Sequence, residues 1–273
     1  MAALILPRRF IGQPPGAVEV DWSNPLTLGM GFAWHPNDTR NVANGQFRST
    51  DNTTAGAAAL GHVRNCSPAL VNVEWPNQFI TTSNGVGTGD FSMLVVANPA
   101  AASAGALEHV FAQKNDAGGT PWAQAVICAH STASFGHASG AMAFVVYNGQ
   151  SAVGVDAAGA ATGGYHVWLG VRSGADMLLY RDGVLVAAAA RDRLSIIQSG
   201  AERFTAVGSR GNGTTEGFRN QVAAAAGWNR ALNAAEARAL QIADFGQLFK
   251  ARDFRLYFPV GVAAGVPLEG AAT

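Results

Sequence analysis

The sequence predicts an all-β protein: a sandwich of two antiparallel sheets, with one short helix near the C-terminus and an extended N-terminal arm. Three observations carry this. Short runs rich in β-branched and aromatic residues recur along the chain with turn residues between them, the pattern of a sandwich. Asp182-Gly183 lies between two apolar runs, and Asp-Gly there is a strong hairpin signal because both central residues of a type I′ turn need positive φ. Leu232-Asn-Ala-Ala-Glu236 reads as a helix start, with Asn233 as N-cap and Glu236 three residues on as its capping-box partner.

The elements follow in order. Residues 1–22 read as an arm: Leu4 and Ile5 precede Pro7, Arg8, Arg9 and Phe10, and Pro14-Pro15-Gly16 follows. Prolines fix φ and remove donors, so this segment is expected to run extended across a surface. A domain is expected over 23–259 and a tail over 260–273. The aromatic-rich stretch 29–34 leads the domain, and 37–65 reads as loops and short outer strands. Strands are expected over 90–97, 108–114, 122–128 and 141–147, with Asn115-Asp116 as a turn just past the second of them. In the run 165–171, Tyr165, Val167, Leu169 and Val171 share one strand face. The Asp-Gly hairpin then sets Tyr180 opposite Leu185 and Leu179 opposite Val186. Both of its faces are apolar, which predicts a central position in a sheet. Strands at 204–208 and 222–228 precede the helix, which alanines and Leu240 extend. Phe254, Leu256 and Phe258 alternate with Arg255 and Tyr257 as a late strand.

Four of these pieces, in this order, resemble a known family. They are Tyr165-His-Val-Trp168, Leu179-Tyr-Arg-Asp-Gly183, Ala206-Val-Gly-Ser-Arg210 and Gly227-Trp-Asn-Arg-Ala-Leu-Asn-Ala-Ala-Glu236. Together they resemble the concanavalin A-like, laminin G-like domain over residues 90–240, which implies a jelly-roll sandwich and says little about a ligand. The Pro7-Arg-Arg-Phe10 arm, followed by Asn24-Pro-Leu-Thr27, Gly29 and an aromatic-rich strand, is similar to tailed-bacteriophage structural proteins that carry such a domain. That second resemblance implies a non-enzymatic virion protein, in head decoration, fibre or tail, assembled in the bacterial host cytoplasm. Its partners would be capsid or tail proteins and itself, as a trimer. Leu4, Ile5, Arg8, Arg9, Phe10, Phe254, Leu256 and Phe258 would then be the assembly residues. The alternative is a glycan-binding module that recognises a host surface, and a glycoside hydrolase ranks third.

Composition narrows the field. The 18 basic residues equal the 18 acidic ones, which argues against nucleic acid as a partner, since phosphate binding needs clustered Lys and Arg. No apolar run approaches the ~20 residues of a membrane span. The first residues lack the basic start and long apolar run of a secretory signal. Cys66 and Cys128 are too few for a disulfide framework and read as buried thiols, which fits a reducing compartment.

Chemistry is sparse. Glycosidases need two facing carboxylates ~5–9 Å apart, and relatives with this fold carry them as Glu-x-Asp-x-x-Glu, which does not occur here. The acidic pair at spacing two, Glu19 and Asp21, falls in the arm. There is no Gly-x-Ser-x-Gly elbow. His130 and His137 have no carboxylate or cysteine at ligand spacing. No cofactor is expected; Asp116 is the position at which the family resemblance would put calcium, but six to eight oxygens are needed there. For sugar binding by stacking and polar contacts, the candidates are Trp122, His137, Arg210, Asn212 and Arg219.

Overall fold

The computed structural model describes residues 13–14, 17–47, 53–58, 60–66, 73–75, 86–87, 89–99, 107–117, 120–130, 137–147, 152–161, 163–190, 196–197, 202–208 and 217–252. In chain order the strands are Val18–Val20 (β1), Met30–Trp34 (β2), Thr54–Ala58 (β3), Gly61–Asn65 (β4), Val73–Trp75 (β5), Val86–Gly87 (β6), Phe91–Asn98 (β7), Leu107–Ala117 (β8), Thr120–His130 (β9), Met142–Tyr147 (β10), Ala152–Ala157 (β11), His166–Ser173 (β12), Asp176–Arg181 (β13), Val184–Ala190 (β14), Ile196–Ile197 (β15), Glu202–Val207 (β16), Gln221–Trp228 (β17) and Phe249–Ala251 (β18). Among the described residues one α-helix, Ala234–Ala239 (α1), lies near the C-terminus.

The strands form an antiparallel sandwich. One sheet has six strands in the order β11-β10-β9-β8-β16-β5. The other has eight: β14-β13-β12-β7-β17-β4-β3, with β2 also paired to β17. Strands β7 and β17 lie at its centre, and nearly every residue of both is buried.

Alternation sorts the side chains of β7. Phe91, Met93 and Val95 point between the sheets, where they meet Phe111, Ile127, Phe144 and Trp168. Leu94 and Val96 point the other way, into a second apolar cluster with Val20, Leu26, Trp228, Leu240 and Phe249. The eight-stranded sheet is thus covered on both faces. Its outer cap is made of the β1–β18 ribbon, the 3-10 turns Pro25–Thr27 and Phe245–Leu248, and α1. Each buried side chain of this size contributes roughly 1.5–3 kcal/mol.

Polar bonds key the cap to the sheet. The Trp228 indole N–H donates to the Leu26 carbonyl at 2.7 Å, and the Asn24 amide donates to the Gln247 carbonyl at 2.9 Å. The buried Ser92 hydroxyl donates to the Arg230 carbonyl and accepts from the Leu232 N–H, both at 2.9 Å. Residues Val18–Val20, at the end of the stretch read as an arm, pair with Phe249–Ala251, and Glu19 meets Lys250 at 2.9 Å. Asp21 is buried.

Several expectations are corrected. The Asp-Gly hairpin is not central: β14 is an edge strand. Its two apolar faces reflect a sheet packed on both sides, not a central position. Tyr180 does lie opposite Leu185, but Leu179 lies opposite Ala187, because a bulge at Val186 shifts the register by one. Asn115 and Asp116 are not a turn; β8 carries them inside the ladder, opposite Trp122 and Pro121. The helix ends at Ala239, with Leu240 as its C-cap. Phe254, Leu256 and Phe258 lie outside the described residues, and the strand observed here is β18, just before them. Cys66 and Cys128 are buried, and the Cys128 thiol approaches the Ala143 carbonyl at 3.7 Å.

Candidate functional site

The hairpin tip and the helix build one corner of the molecule. Asp182 and Gly183 take φ of 49° and 77°, as a type I′ turn requires. The Asp182 carboxylate ties this turn to β12: Oδ1 accepts from the Val167 N–H at 2.8 Å, and Oδ2 meets His166 Nδ1 at 2.5 Å. Helix α1 presses on the tip. A Cβ at Gly183 would lie 2.8 Å from the Arg238 Cα and 3.1 Å from the Ala237 carbonyl oxygen. The helix is itself fixed by its capping box: Asn233 Oδ1 accepts from the Ala235 and Glu236 N–H groups, and Glu236 Oε2 accepts from the Asn233 N–H. Arg230 grips the same carboxylate with two nitrogens, at 2.9 and 2.7 Å. That hydrogen bonding holds the Glu236 carboxyl below its usual range, against the effect of burial.

Between these walls opens a cleft of about 550 Å³. The hairpin contributes Tyr180, Asp182, Gly183, Val184 and Leu185; the helix side contributes Ala234, Arg238 and Gln241. Val184 and Leu185 are 65% and 48% exposed, an apolar wall open to solvent. Tyr180 is buried, which pushes its hydroxyl pKa up, while the nearby Arg238 charge opposes the rise. Asp182 has its carboxylate committed to β12, and Arg238 has no carboxylate partner among the described residues. The cleft therefore offers an apolar surface, a cation, and two groups that can both donate and accept, Gln241 and the Tyr180 hydroxyl. This is the mixture typical of small polar ligand sites.

A second exposed apolar surface lies on the cap. Trp22 and Leu28, 56% and 72% exposed, flank a groove of about 330 Å³ over the Pro25–Thr27 turn.

The residues singled out from sequence lie elsewhere. His137 is buried over the outer face of the six-stranded sheet, with Nδ1 3.3 Å from Asp156 Oδ1; Gly154 beneath it leaves the room. Arg219 places Nε 3.6 Å from an oxygen of the buried Glu108, and its N–H donates to the same carboxylate at 3.4 Å. Each therefore has a carboxylate of its own. Trp122 occupies a position in β9, opposite Asn115. Asp116 sits in β8 between Pro121 and Glu202. Arg210 and Asn212 lie outside the described residues, as do Leu4, Ile5, Arg8, Arg9 and Phe10. Among the described residues no three His, Cys, Asp or Glu gather as metal ligands. Tyr180, Val184, Leu185, Arg238 and Gln241 were not singled out. The Asp-Gly turn and the capping box that place them were both visible, but their meeting in space was not.

No family model and no curated protein sequence matches the chain. Solved structures do. The binding domain of Paraclostridial mosquitocidal protein 1 aligns over 79% of this chain and 52% of its own, with TM-score 0.57 and 11% identity. Domain 4 of AbnA, a GH43 extracellular arabinanase from Geobacillus stearothermophilus, in complex with arabinotriose, aligns over 78% of this chain and 98% of its own, with TM-score 0.55 and 10% identity. The binding domain of botulinum neurotoxin DC, in complex with SialylT, aligns over 79% and 51%, with TM-score 0.51 and 12% identity. The likeness is one of fold. This chain spans about half the length of the two toxin domains.

Proposed function

We propose that this chain is a non-catalytic glycan-recognition sandwich, with the corner cleft as its sugar site, displayed on a larger assembly. The cleft carries the proposal. Val184 and Leu185 offer an apolar surface to the C–H face of a sugar ring. Arg238, Gln241 and the Tyr180 hydroxyl offer directional bonds to its hydroxyl or acidic groups. A glycosidase would need two facing carboxylates; among the described residues lining the cleft, Asp182 supplies one, and it is committed to Val167 and His166. Arabinotriose and SialylT, the ligands of two structural neighbours, are both glycans.

Display is supported by where the chain enters and leaves the sandwich. Val18 pairs with Ala251, and the Arg252 N–H donates to the Ala17 carbonyl at 3.2 Å. Residues 17–20 and 249–252 thus lie side by side as one ribbon on the cap, which a single partner can hold. A tailed-phage virion is the assembly that the resemblance of the arm implies.

A glycan array followed by titration tests the sugar site. Removing a charge-assisted hydrogen bond costs about 1.5–3 kcal/mol, so Arg238→Ala is expected to weaken binding roughly 10- to 100-fold, and Gln241→Ala to weaken it less. Silence across the array, or binding that both variants leave intact, overturns the proposal.

A further inference from the structure

The charges at the corner cleft are unequal in what they are free to do. Arg40, Arg219 and Arg230 each lie beside an acid: Asp38, Glu108 and Glu236. Among the described residues, Arg238 has no such acid. On a helix, side chains at i±3 and i±4 are the ones that meet, and around Arg238 those positions hold Ala234, Ala235, Gln241 and Ile242. Glu236, two residues back, is held by Arg230 and by the Asn233 N–H. Among the described residues lining the cleft, one carries a carboxylate, Asp182, and both its oxygens are bound to β12, on the Val167 N–H and on His166. The remaining polar groups of the wall, the Tyr180 hydroxyl and the Gln241 amide, can both donate. Burial pushes the Tyr180 hydroxyl pKa up, so it stays a donor at neutral pH.

We infer that the cleft selects sugars that carry a carboxylate, of the uronic or sialic acid kind, over neutral ones. This rests on the reading of the cleft as a sugar site and adds which sugars enter it. A ring lying on Val184 and Leu185 covers Arg238 from water. A neutral ring gives the guanidinium hydroxyl partners only, and a cation withdrawn from water without a counter-charge is costly. A carboxylate accepts two parallel N–H bonds from the guanidinium fork. It is also an acceptor only, which suits a wall where Arg238, Tyr180 and Gln241 all donate. Asp182 adds a negative charge to the hairpin wall, so the acid enters at the helix side. Discrimination thus comes from a penalty on the wrong ligand as much as from a gain on the right one. The field of the whole molecule does not supply it, because 18 basic residues balance 18 acidic ones.

Paired glycans test this. Oligosaccharides ending in a uronic acid, and others ending in a sialic acid, are titrated beside the same glycans after their carboxyl group has been reduced to the alcohol. The wild type is expected to bind an acidic member about 10-fold or more tighter than its reduced partner, the worth of a charge-assisted hydrogen bond. Added salt should erode that margin, and the series that shows it distinguishes uronic from sialic acid. Arg238 is exposed, so Arg238→Gln is expected to fold, as circular dichroism and melting would verify. It should bind acidic and reduced members alike, with the affinity for the reduced member unchanged. Arg238→Lys keeps the charge without the fork and should fall between the two. Equal affinity of the wild type for acidic and reduced glycans, or a margin that survives in Arg238→Gln, overturns the inference and leaves the sugar site standing. Binding to none of these glycans overturns both.

Discussion

Replacing Gly183 by alanine tests the packing that shapes the cleft. Two costs combine. The residue sits at φ 77°, and an alanine in the left-handed region costs roughly 1–2 kcal/mol. Against that, alanine restricts the unfolded chain and returns about 0.4–1 kcal/mol. The new methyl would also lie 2.8 Å from the Arg238 Cα, a backbone atom that moves only with the helix; overpacking of this kind costs roughly 1–3 kcal/mol. The sum is a loss of about 2–4 kcal/mol, or a Tm shift on the order of 10 °C for a domain of this size. Gly174→Ala is the matched control. Its φ is 60°, and nothing lies within 4 Å of its added Cβ, so it pays for conformation alone, about 1 kcal/mol. Urea unfolding of both variants, read from midpoints at constant m, separates the two costs. If Gly183→Ala and Gly174→Ala lose the same stability, α1 does not press on the hairpin tip, and the account of how the cleft is held is wrong.

Two further predictions concern acid stability and the helix start. His35 is fully buried, its Nδ1 accepts from the Asn37 N–H at 3.3 Å, and burial pulls its pKa from 6.5 down to about 4. The folded state therefore keeps it neutral while the unfolded chain takes up a proton below pH 6.5. Its contribution is complete above that pH and falls as pH drops towards 4, by about 3 kcal/mol in all. Unfolding midpoints of wild type and His35→Gln at pH 7 and pH 4.5 are expected to show the steeper acid loss in the wild type; equal slopes would refute the assignment. Asn233→Ala removes the acceptor shared by two first-turn N–H groups and should cost about 1 kcal/mol in thermal unfolding. A variant as stable as wild type would show that the capping box contributes nothing to holding α1.

What the sequence determined by itself is whatever rests on a few neighbouring residues. Asp182-Gly183 dictates a type I′ turn because few other pairs tolerate two positive φ values in succession. Asn233 and Glu236 announce a helix because each satisfies the other's free backbone groups. Alternating apolar runs announce strands, and enough of them announce a sandwich. Tertiary structure decided what depends on which surfaces meet. An apolar strand reads the same whether it lies at the centre of a sheet or at an edge beneath a cap, so only the fold puts the hairpin at the edge. Gly170 reads as one more strand residue; only the fold shows that the Phe144 ring occupies the space of its missing Cβ. The cleft joins residues 180–185 to residues 234–241. No local pattern links them, because their contact is made by a helix folding back over the far side of the sheet.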